Sequence, residues 1–184
     1  MNTRFDFIDR LQARTALLAI GRSTLRNQGA PGVITAARRY LRTVNLRDFA
    51  TPTRQAFRAA LDRHTTRLMK RFPAGANNNW GAARKAMNIF LRDVLYSRPL
   101  CEHYGLAKLE RWLELPLDSN VYDGLVQDSA RHELPRGPGV KGLDGTVSAQ
   151  LQAAADSIAR TNRIDRVHLD VKYWRKGAID ELEG

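Results

Sequence analysis

An all-α fold is what this 184-residue chain predicts, and three features carry that reading. Apolar residues recur at helical spacing in successive segments, Pro and Gly punctuate the ends of those segments, and no run alternates apolar and polar residues as a half-buried strand would. The length suits one compact multi-helix domain over residues 1–184, with N-terminal helices over 1–74 and a candidate catalytic region over 75–184.

Residues 4–20 read as an amphipathic helix after Thr3, stopped near Gly21, with Ile8, Leu11 and Leu18 on its buried side. A turn-rich stretch over 27–32 follows. Residues 33–43 form a second helix, apolar through Val33, Ala37, Tyr40 and Leu41, with Arg38, Arg39 and Arg42 on a solvated face. Thr51-Pro52-Thr53 is a cap-and-proline start for a helix over 53–72, where Phe57, Leu61, Leu68 and Phe72 keep helical spacing until Pro73. His64 falls among polar neighbours on its outer side.

The Gly/Asn-rich turn of Gly75, Asn77, Asn78, Asn79 and Gly81 leads into the most apolar helix, residues 81–97, striped by Ala83, Ala86, Met87, Phe90 and Val94. Lys85, Asn88, Arg92 and Tyr96 share another face of it. A short helix with Leu106, Leu109, Trp112 and Leu113 precedes Leu115-Pro116-Leu117-Asp118-Ser119, where Asp118 has the character of a helix N-cap. Residues 131–146, with Pro135, Arg136, Gly137, Pro138, Gly139, Lys141, Gly142 and Gly145, form the longest irregular segment. Helices over 147–160 and from about 166 complete the chain.

Composition narrows the partner class. With 30 Lys and Arg against 19 Asp and Glu, the net charge of +11 draws polyanions, nucleic acid first among them. The single cysteine, Cys101, excludes an internal disulfide, a four-cysteine zinc site and a four-cysteine iron–sulfur cluster, and suits the reducing cytoplasm. No His/Cys/Asp/Glu group stands at ligand spacing, so no metal and no cofactor is expected. The N-terminal apolar residues are interrupted by Asp6, Asp9, Arg10 and Arg14, which argues against a signal peptide or membrane span. A cytoplasmic monomer without membrane contact is the expectation.

Three places carry candidate chemistry. Lys85 lies within the first turn or so of its helix, where the positive end of the dipole works against a protonated amine; a neutral amine is a nucleophile, while an ordinary solvent-facing lysine fits the same spacing. Asp118, a cap in its own right, stands beside an apolar wall of Leu115 and Leu117 and is suited to stabilise a cationic transition state or deprotonate a nucleophile. In Val167-His168-Leu169-Asp170-Val171-Lys172-Tyr173-Trp174, Asp170 and Trp174 lie one helical turn apart: a carboxylate and an indole that either grip a flat heterocycle or form a half-buried aromatic beside a helix-start charge. Arg84 and Arg92, flanking Lys85, and Lys141, in the Gly-rich loop, are candidate phosphate contacts.

The order of a Lys-bearing apolar helix, a Pro-Leu-Asp helix start and a terminal His-Leu-Asp followed by Trp resembles the helix-hairpin-helix DNA glycosylase superfamily, and within it the archaeal GO glycosylase branch that removes 8-oxoguanine. The likeness covers roughly residues 75–176. It implies Lys85 and Asp118 as catalytic residues, and Asp170 with Trp174 as contacts to an extruded base in double-stranded DNA. The hairpin has diverged: Leu-Pro-Gly-Val-Gly is missing before Lys85, Gly75 to Gly81 holds its place, and Pro138-Gly139-Val140 follows Asp118 instead. The expected activity is excision of a modified or damaged base, leaving an abasic site, with possible strand cleavage as an AP lyase. The substrate is either an oxidised purine in repair or a bulky base such as those of phage DNA in defence. The alternative is a helical DNA-binding module without turnover.

Overall fold

A computed structural model of the chain describes residues 6–25, 27–129, 134–135 and 139–174. All regular structure among them is helical, as the spacing predicts. In chain order the helices are α1 (Phe7–Ala19), α2 (Arg22–Leu25), α3 (Val33–Arg42), α4 (Arg54–Met69), α5 (Trp80–Tyr96), α6 (Arg98–Tyr104), α7 (Ser119–Asp128), α8 (Gly139–Gly142), α9 (Gly145–Thr161) and α10 (Leu169–Tyr173). Short 3-10 turns lie at Leu46–Phe49, Ala107–Leu109 and Arg166–His168. None of these helices is long and apolar enough to cross a membrane.

The fold is built around α5. Asn79 caps it by accepting from the Ala82 N–H at 2.9 Å, and holds the preceding turn by donating to the Gln28 carbonyl at 3.2 Å. From Gly81 through Asn88 every residue of α5 is buried, because α1, α3, α4, α6 and α8 all pack against it. Gly81 is required there: a Cβ would collide with the Val140 carbonyl and the Leu143 side chain of the α8 segment.

Apolar residues gather in two clusters. The larger joins α1 to α6 and includes Leu41, Phe49, Phe57, Leu61, Met87 and Phe90; the smaller joins Leu115, Leu117, α7, α9 and α10. Along the chain the first cluster runs to Leu113, with Val167 joining it from near the C-terminal end, and the second begins at Leu115. The extended segment between them is pinned by side chains. The Gln152 amide makes paired hydrogen bonds with the Leu115 backbone at 2.8 and 2.9 Å, and Arg166 donates to the carbonyls of Leu113 and Trp112 at 2.8 and 2.9 Å. Backbone polar groups with no ladder or helix partner are in this way satisfied inside the protein.

Several local expectations are corrected. Leu18 is 68% exposed, because the buried stripe of α1 runs through Gln12, Thr15, Ala16 and Ala19 one step away. His64 is buried, its Nδ1 bonded to the Tyr40 hydroxyl at 2.7 Å and its Nε2 donating to the Asp48 carboxylate at 3.0 Å, where an outer polar face was expected. Burial pushes its imidazole below the usual histidine range, against the pull of Asp48. The helix expected through Trp112 is only a 3-10 turn, and the irregular 131–146 segment contains α8. Arg136, Gly137 and Pro138 of that segment, and the start expected at residue 4, lie outside the described residues.

Candidate active site

Lys85 and Asp118 meet. The lysine Nζ lies 3.1 Å from Asp118 Oδ2, with the Lys85 side chain 6% exposed and that of Asp118 31% exposed. Of the two readings of the face that Lys85 shares with Asn88, the solvent-facing one does not hold at these residues: both are buried, because α5 is covered on nearly every side. Asp118 is also the cap that its sequence context predicts: Oδ1 accepts from the Val121 N–H at 3.0 Å at the start of α7. Leu115 and Leu117 are buried beside it and limit water on that side. One carboxylate therefore closes a helix and faces an amine.

A second carboxylate shares this neighbourhood. Asp170, at the start of α10, is ion-paired with Arg92, whose guanidinium also holds Asp93 Oδ1 through Nε at 2.9 Å and Nη2 at 2.8 Å. Burial raises the Asp170 carboxyl above the usual carboxylate range; the nearby Asp118 charge adds to that, and Arg92 opposes it. Arg92 engages Asp170 through Oδ2, and the Asp170 side chain is 14% exposed. Trp174 is not on the Asp170 face of a helix: α10 ends at Tyr173, and Trp174 follows in an extended conformation, 55% exposed.

The expected phosphate contacts fare differently from one another. Arg84 is corrected outright: its guanidinium is buried and engaged by Glu114 through Nε and Nη2 at 2.8 and 3.0 Å, by Thr65 at 3.0 Å and by Asp62 at 2.8 Å, and it lies over the Trp80 ring. No direction remains for a phosphate. Arg92 is largely occupied by two carboxylates. Lys141 is exposed on α8, and among the described residues it makes no ion pair.

No family model, curated protein or solved structure matches the chain. What its site can do therefore follows from its own geometry. Next to the Lys85–Asp118 pair a cavity of about 290 Å³ opens between α7, α8 and α9, walled by Leu117, Val140, Leu143 and Leu151 and edged by Asp118 and Tyr122. Sequence inspection missed Tyr122, because an aromatic inside a short amphipathic helix carries no signal until α8 and α9 fold against it. Glu114 was missed for the same reason.

One group of metal-binding side chain types comes together among the described residues. Glu110, Asp165 and His168 bring one donor atom each within 4.8 Å of one another. Glu110 and His168 are 58 residues apart, so local spacing could not reveal them. His168 is already satisfied, by Glu110 at 2.7 Å and by the Tyr96 hydroxyl at 2.8 Å, and its ring stacks on Tyr96. Glu110, His168 and Tyr96 thus form a hydrogen-bonded chain, with the Asp165 carboxylate beside it.

Proposed function

We propose that the chain is a DNA glycosylase that extrudes a modified nucleotide from duplex DNA and excises its base. The observation that carries this reading is the Lys85–Asp118 pair, a nearly sealed amine against a half-open carboxylate at a helix start, beside a cavity. The order of motifs that resembles the helix-hairpin-helix glycosylases supports it, as does the net charge of +11, which suits a polyanionic substrate.

A stacked base is out of reach, so the nucleotide leaves the helix at a cost of about a few kcal/mol. Lys85 transfers a proton to Asp118 and its Nζ bonds to the sugar C1′; the C1′–N bond breaks and the base departs with that electron pair, taking up a proton. Ring opening then gives an iminium at C1′, from which β-elimination expels the 3′ phosphate. Where Nζ does not reach C1′, Asp118 takes the proton of a water instead and the water oxygen bonds to C1′ as the C1′–N bond breaks; the base leaves with that electron pair, takes up a proton, and an abasic site is left. The modified base is either an oxidised purine or a bulky phage-type base.

The burial of Lys85 favours one other reading, in which the pair only pins α5 to α7 in a helical DNA-binding module. Mass analysis of bases released from a panel of damaged and phage-modified duplexes decides between them. Release of a single base class is expected. Salt-sensitive duplex binding with no base released from any substrate would leave only the module.

A further inference from the structure

We infer that the cavity between α7, α8 and α9 is a receptor for a flat, amino-bearing nucleobase, and that it, not the Asp170–Trp174 pair, receives the extruded ring. Its volume of about 290 Å³ stands at the lower end of small-molecule sites, matching one ring system and not a larger ligand. Its walls are Leu117, Val140, Leu143 and Leu151, with the Tyr122 ring on one side. That ring is held in place: the Tyr122 hydroxyl donates to the Pro135 carbonyl at 3.1 Å, so the aromatic face needs no ordering when a base stacks on it.

The polar edge selects the ligand. Asp118, Ser119 and Asp123 supply it, and no Lys or Arg is among the described residues that line the cavity. The described lining therefore gives an anion such as phosphate two carboxylates and no cation of its own. Ionised carboxylates accept and do not donate, so two of them on one edge favour a ring with an exocyclic amino group and its two N–H donors, and disfavour one such as thymine whose N3–H stands between two carbonyl oxygens. Asp123 is exposed and makes no hydrogen bond or ion pair among the described residues. Asp118 Oδ1 and Oδ2 each take one donor, from Val121 N–H and Lys85 Nζ, which leaves each oxygen a further lone pair. The Asp170 carboxylate, by contrast, is paired with Arg92 through Oδ2 and is 14% exposed where Asp118 is 31% exposed. A ring in the cavity meets Asp118 directly, next to the amine that would attack its sugar. The naming of the ligand as a nucleobase rests on the glycosylase reading; the preference for a neutral, donor-bearing ring rests on the lining alone.

The test titrates free cytosine, adenine and thymine into the full chain and follows side-chain NMR signals. Cytosine and adenine should shift Tyr122, Leu143 and Leu151 and bind more tightly than thymine, which lacks an exocyclic amine. Asp123→Asn should weaken cytosine and adenine about tenfold, the size of a hydrogen bond to a charged group, and leave thymine unchanged. Ser119→Trp, at an exposed position on the rim, should abolish binding of all three. Shifts that centre on Trp174, equal binding of thymine, or indifference to both variants would overturn the inference. Two outcomes keep the proposals apart. Excision by the wild type that survives undiminished in Ser119→Trp removes the cavity and leaves the glycosylase; bases bound in the cavity with no excision from any duplex remove the glycosylase and leave the cavity.

Discussion

Two consecutive residues of α5, Arg84 and Lys85, are both buried cations, and both meet a carboxylate from the extended segment before α7. Their environments differ in kind. Arg84 has a bidentate bond to Glu114, two further oxygens and an aromatic ring, so its donors are filled and its partner is itself 9% exposed. Lys85 has one ion-pair partner among the described residues, Asp118, which is 31% exposed and borders a cavity. A closed pair holds helices together; an open pair can exchange a proton and meet a substrate. The same segment serves both, because Gln152 and Arg166 fix its backbone while Glu114 and Asp118 point at adjacent residues of one helix.

The largest expected effect lies at the closed pair. Glu114→Ala takes the bidentate partner from the buried Arg84 guanidinium, leaving its Nε and Nη2 unpaired with only Nη1 still held by Asp62 and Thr65, and should cost about 3 kcal/mol in denaturant unfolding. Lys85→Met strands only a half-open carboxylate and should stay within about 1 kcal/mol of the wild type. Similar losses at both positions would break the comparison.

Acid sharpens it. Burial works to raise the Glu114 carboxyl, but Arg84, by charge and hydrogen bond, with Arg166 and Asn88, outweighs it and holds the group below the usual carboxylate range. A depressed folded value means stability that is fully present above the unfolded carboxylate pKa, about 4.3, and lost as pH falls through the folded one. Asp170 has the opposite sign. Its raised folded value means stability that is present at acid pH and declines as pH rises from the unfolded value to the folded one. Unfolding across acid pH should show Glu114→Gln flattening the acid loss, and Asp170→Asn flattening the decline above it.

These contrasts mark what the sequence could and could not disclose. Helices α4, α5 and α9 are legible because apolar spacing and caps such as Thr53 are local. Lys85 and Asp118 were readable as candidates from helix position and cap chemistry, and the fold brings them together. Arg84 was misread as a phosphate contact because a buried cation looks like a surface one until its acid partner, 30 residues away, is in place. Leu46 and Phe49, fully buried in a four-residue 3-10 turn, escape periodicity altogether. The α10 face failed for a related reason: helical spacing was extended to Trp174, one residue past the last turn.

Smaller effects separate the roles of single groups. Asp118→Asn keeps a side-chain oxygen for the Val121 N–H but takes the opposite charge away from the buried Lys85 amine, so unfolding should register a loss of about 1–3 kcal/mol. Excision should fall about 100-fold or more, as expected when a general base is lost. Unchanged excision would reduce Asp118 to a cap. Trp174→Ala is the mildest: with the cavity as receptor, single-turnover excision should change less than about threefold, whereas a stacking partner would be worth about 1–3 kcal/mol.

The most direct measurement adds borohydride during turnover on a duplex that carries the excised base. The account predicts a covalent protein–DNA adduct whose modified side chain is Lys85, absent in Lys85→Gln. Base release with no adduct would hand the reaction to water and Asp118. An adduct on another lysine, or neither base release nor adduct from any duplex, would contradict the claim that the open pair on α5 is the catalytic one.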